Sequence, residues 1–143
     1  MKKYVVFVTV VLLSFVLGFL YYYFLRDNVI GFSWLGIDKG ESLYLAWNNY
    51  FLWFPTFIHS FIFSLLTWWA MGFNYPKSSV LFWMTINLIA EIGQGIESNF
   101  FNRFPPILKN YFQRGTFDWW DMVSIIVGAI LAYIFILKIE KEL

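Results

Sequence analysis

Thr85 to Ser98 reads TINLIAEIGQGIES, an apolar stretch interrupted by Asn87, Glu91, Gln94 and Ser98. Spacings of four, three and four predict a single polar face on a helix, with Leu88, Ile89, Ile92 and Ile96 on other faces. A carboxylate at bilayer depth costs about 2.5–3.5 kcal/mol on insertion scales, so this face is expected to turn from lipid toward protein or a wet cavity. The remainder of the chain has to supply what meets Glu91.

That the surroundings are a membrane follows from composition. The 143 residues are 60% hydrophobic and 24% aromatic but only 13% charged, whereas a soluble domain carries about 25% charged residues. Eighteen Phe, nine Tyr and eight Trp suit lipid-facing surfaces and interfacial belts. The length allows one domain, residues 1–143. A net charge of +1 without a long basic run gives no signal for nucleic acid. Without cysteine there is no disulfide, thiol nucleophile, thiolate metal site or cysteine-borne lipid anchor, and a single His argues against zinc. No metal and no cofactor is expected.

Met1-Lys2-Lys3 precedes an apolar run from Tyr4 to Leu25. The run is long enough to cross a hydrocarbon core of about 30 Å, and its bulky aromatic end does not resemble a signal-peptide cleavage site. It is read as a first span, 4–25. Asn28 to Lys39 is a polar, glycine-containing connection, and Glu41 to Trp53 mixes aromatics with Asn48 and Asn49, predicting an amphipathic helix in the headgroup layer. Pro55, tolerated in a first helical turn, opens a second span at 54–73. Ser60, Ser64 and Thr67 form a small-residue stripe within it. A tight turn around Asn74 and Pro76 leads to the third span, 80–98. Asn99 to Phe117 is a connection in which Pro105-Pro106 forbids a continuous helix. The fourth span, 120–137, carries Ser124, Gly128 and Ala132 at spacings of four. The expected fold is therefore all-α: a bundle of four transmembrane helices with an interfacial helix between the first two.

The ten Lys and Arg residues divide evenly between the two sides, so the flanking Lys2 and Lys3 decide the orientation, with the termini in the cytoplasm. Either way, alternating spans bring the start of the second, the end of the third and the start of the fourth to one side. At 1.5 Å per residue His59 lies about 7 Å, Gln94 about 6 Å and Glu91 about 10 Å into the bilayer, with Asp118 and Asp121 at the rim. Arg114 reaches into the same layer and offers a carboxylate two parallel donors.

This polar layer has two readings. In one, Arg114 neutralises Glu91 or Asp121, and His59 and Gln94 satisfy the remaining hydrogen bonds. In the other, the layer holds a polar ligand or headgroup, with Glu91 and His59 as candidate acid and base and Gln94, Arg114, Asp118 and Asp121 as binding groups. Asp118 also serves as a simple first-turn acid at a helix N-terminus.

Glu91-Ile92-Gly93-Gln94, then Arg114, Asp118, Asp121 and Gly128, with His59 opening the second span, resembles the VanZ-like family of small bacterial membrane proteins. The likeness spans about Pro55 to Tyr133. It implies a polytopic protein of the bacterial plasma membrane and no agreed biochemical activity. The family's link to resistance to the glycopeptide teicoplanin is not carried over, because Pro55, Thr56 and Ile125 depart from the family pattern.

The expected function is an outer-leaflet polar pocket for an anionic or glycan-bearing lipid or cell-envelope precursor, with or without its modification. The rival is a non-catalytic accessory or assembly subunit, docking a membrane-protein partner or a second copy through Ser60/Ser64 and Ser124/Gly128.

Overall fold

The computed structural model describes residues 2–25, 51–96 and 98–141. Among them the chain is all-helical: α1 (Lys2–Leu25), α2 (Phe54–Ala70), α3 (Pro76–Gln94), a 3₁₀ turn (Ser98–Arg103), α4 (Pro106–Arg114) and α5 (Trp119–Lys141). The interfacial helix expected from Glu41 lies, up to Tyr50, outside the described residues.

Two helices have the length and hydropathy of a membrane span, Tyr4–Leu25 with 22 residues and Trp119–Lys141 with 23, both at a mean hydropathy of 2.5. The other two long helices are shorter or more polar. With 17 residues α2 extends about 26 Å at the helical rise, and α3 carries Asn87, Glu91 and Gln94.

Several boundaries differ from the sequence reading: α5 runs on to Lys141, past the expected end at 137, and the others shift for local reasons. α2 stops at Ala70 rather than 73 because Gly72 and Phe73 adopt left-handed φ values of 66° and 61°. Pro76 in the first turn starts α3 four residues early. Gly95 ends α3 at Gln94, so Ser98 belongs to the next element and not to the Glu91 face. Pro105-Pro106 breaks the chain as expected but also seeds α4, because a proline in the first turn leaves the helix beyond it intact.

α2 lies at the centre of the bundle, packed on α5, α3 and α1. Thr56 meets Asp121, and four residues on Ser60 meets Ile125, so α2 and α5 run parallel at constant register. Tyr21 pairs with Phe54 (ring centroids 5.4 Å) and Phe7 with Trp68 (6.0 Å), so α1 runs antiparallel to α2. The small-residue stripes are consumed by the α2–α5 contact. A Cβ on Gly128 would stand 2.6 Å from the carbonyl oxygen of Phe57 and 3.3 Å from Ser60 Cβ, and the Ser60 hydroxyl donates to the carbonyl of Ile125 at 2.9 Å. Ser60 and Ser64 are fully buried. These contacts hold α2 against α5.

The apolar core fills the end that carries the chain termini, where Phe7, Leu65, Trp68, Ala132, Ile136 and Ile139 pack together. Lipid-type residues cover the outside: Ile89, Ile92 and Ile130 are exposed while Glu91, on the same helix as the first two, is 3% exposed. Glu91 thus turns inward as its spacing predicts, while Asn87 and Gln94 are only partly covered.

Candidate functional site

At the end opposite the apolar core, α3 finishes where α5 begins. The backbone N–H of Asp118 donates to Glu91 Oε1 at 2.7 Å. Asp118 in turn caps α5, its Oδ1 accepting the N–H of Trp120 at 2.9 Å. Glu91 thus receives a donor from the electropositive start of α5, a natural seat for a carboxylate. The charges of Asp118 and Asp121 both lie close enough to act on Glu91. Asp121 is held from α2, where Thr56 Oγ1 stands 2.9 Å from Asp121 Oδ1 and 2.7 Å from the carbonyl of Trp53. Among the described residues, no three His, Asp or Glu side chains are placed to hold a metal ion.

The remaining predicted residues are placed by other contacts. Gln94 faces the connection rather than the carboxylates: its Nε2 donates to the Tyr111 hydroxyl at 3.3 Å, and its side chain lies directly on Gly115, where any Cβ would overlap it. His59, half-buried, has its ring 6.4 Å from Tyr22 of α1, stacked, and 5.6 Å from Phe63, which places it on the α1 side of α2 while Ser60 faces α5. Arg114 is the last residue of α4; its side chain lies outside the described atoms. The structure therefore brings together Glu91, Asp118 and Asp121, and it sets Gln94 and His59 in neighbouring but different environments.

Thr56 is the site residue that sequence reading missed. It extends the Ser60, Ser64 stripe by one further step of four, and that period was the available signal. The main-chain donor at Asp118 had no such signal, because side-chain chemistry does not reveal where a helix start will point.

Beside the carboxylates lies a groove of about 460 Å³ walled by Trp53, Phe57, Trp120, Val123, Ser124 and Val127. It is continuous with the polar layer through two of its walls. Trp120 gives its N–H to Asp118, and the carbonyl of Trp53 shares the Thr56 hydroxyl with Asp121. Compared with known protein families, curated proteins and solved structures, the chain matches none.

Proposed function

We propose that this chain is a four-span protein of the plasma membrane, of the VanZ-like kind, with cytoplasmic termini. Its carboxylate end would bind an anionic or glycan-bearing membrane lipid, or a lipid-linked precursor of the cell envelope. The four-span reading draws support from the packing. α2 lies alongside α5 in register and α3 lies against both, so in a bilayer the two helices with the length and hydropathy of spans would carry the other two with them.

One observation carries the binding reading: Trp53 and Trp120 wall an apolar groove while their main-chain groups bond to the carboxylate layer, the Trp120 N–H donating to Asp118 and the Trp53 carbonyl accepting from Thr56, which also donates to Asp121. A groove of this kind accommodates an acyl or prenyl chain. The half-buried Asp118 and Asp121 offer acceptors to headgroup hydroxyls, and Arg114 supplies the cation for a phosphate. Binding is favoured over turnover because Glu91, the better acid candidate, is 3% exposed and already committed through Oε1. In this reading Glu91 is a positioning residue that sets the start of α5.

The test is mass spectrometry of lipids that co-purify with wild type, Asp121→Asn and Trp120→Ala. One lipid class should be enriched over the bulk membrane with wild type and lost from both variants at unchanged melting temperature. Lipid profiles equal to the bulk membrane in all three proteins would overturn the proposal.

A further inference from the structure

The connection between α3 and α5 is anchored through part of its apolar side and bare over the rest of it. Phe112 seats its ring on Gly93, in space that any Cβ at that position would occupy, and stacks on Phe101 at 4.5 Å. Gln94 lies on Gly115 at the far end of α4. These contacts fix the roll of α4. At helical period, Leu108, Tyr111 and Phe112 fall on one side, and Lys109, Asn110 and Gln113 on the other. Phe112 faces the bundle, while Leu108 is 45% and Tyr111 51% exposed, and the preceding turn adds Phe100 at 61%. From Ser98 to Phe117 the sequence holds Arg103, Lys109 and Arg114 and no acidic residue.

We infer that the 3₁₀ turn and α4 form a foot that lies in the headgroup layer of an anionic lipid surface. An apolar side at the level of the bundle end, a polar side above it and a purely cationic charge set are the features by which a short helix rests on such a surface. Trp119 and Trp120 at the start of α5, and Val123 and Ile130 farther along it, are exposed as well. This inference rests on the membrane reading proposed above.

The chain has no cysteine, so single nitroxide labels report without background. The full-length protein would be reconstituted in nanodiscs of phosphatidylcholine, with or without phosphatidylglycerol, and labelled through Leu108→Cys, Asn110→Cys or Ile130→Cys. Accessibility to oxygen and to a water-soluble nickel complex is then compared. At Leu108→Cys the oxygen-to-nickel ratio should exceed unity in anionic discs and fall in neutral ones, and at Asn110→Cys it should stay below unity. Replacing Arg103 and Lys109 by Gln should abolish the difference between the two lipids. A Leu108→Cys label as nickel-accessible as Asn110→Cys, with Ile130→Cys still in lipid, overturns the foot alone. A Leu108→Cys label shielded from both reagents means that protein covers this side, and overturns it equally. If Ile130→Cys itself reports water, the membrane reading fails and the foot with it.

Discussion

The two ends of this bundle solve the problem of polar groups in opposite ways. At the end near the termini the interior is mostly apolar: Trp68 is completely buried, its indole N–H has no hydrogen-bond partner among the described residues, and Phe73 and Phe7 surround it at 4.8 and 6.0 Å. An apolar groove of about 320 Å³ between Leu81, Met84, Ile130 and Tyr133 continues that character outward. At the other end Glu91, Thr56, Asp118 and Asp121 are tied to one another and to main-chain groups. The difference teaches that apolar packing holds one end while hydrogen bonds set the geometry of the other. Function is accordingly sought where polar groups are retained despite their cost in lipid.

Five substitutions at four positions break or sharpen this contrast. The largest effect is expected where the two ends join. Gly128→Leu forces a side chain onto the Phe57 carbonyl and should cost about 1–3 kcal/mol or more in a denaturant titration of the purified protein, splaying α5 from α2 at both ends. Glu91→Leu leaves the Asp118 N–H unpaired and should cost about 1.5–3 kcal/mol. Glu91→Gln keeps an acceptor oxygen, so its melting temperature should stay near wild type. Equal losses for the two variants would show that the charge, and not the bond to Asp118, matters. Gly93→Val evicts the Phe112 ring and should cost roughly 1 kcal/mol, an average mutational loss. Its signature is faster proteolytic cleavage between Ser98 and Gly115 with an unchanged bundle. Ser60→Ala removes one interhelical hydrogen bond, worth about 0.6 kcal/mol by the measured average in membrane bundles, and should barely move the same titration.

Much of this architecture was readable from residue order. Apolar runs locate the long helices, and of the periodic Asn87, Glu91 and Gln94 it is Glu91 that is buried as expected, while the other two are only partly covered. Boundaries were less legible, because Pro76 and Pro106 were read as breaks although a proline in a first turn is also a start. The small-residue stripes were visible, but their partner was not: nothing in the spacing of Ser60 or Gly128 distinguishes a neighbouring helix of the same chain from a foreign one. The approach of Glu91 to Asp118 and Asp121 was expected from the alternating direction of successive long helices. The separate surroundings of His59 and Gln94 were not, because one residue along a helix changes direction by more than a quarter turn, and depth alone carries no direction.

The bond from Asp118 to Glu91 joins residues 27 positions apart, and the donor is the later of the two. During synthesis at about 5–20 residues per second, Glu91 leaves the ribosome roughly 1–5 s before its partner exists. For that interval the nascent third helix holds a carboxylate that nothing in the emerged chain answers. The packing of α3 is therefore complete only once α5 has arrived, and a chain cut short before Asp118 would leave the Glu91 carboxylate without this main-chain donor.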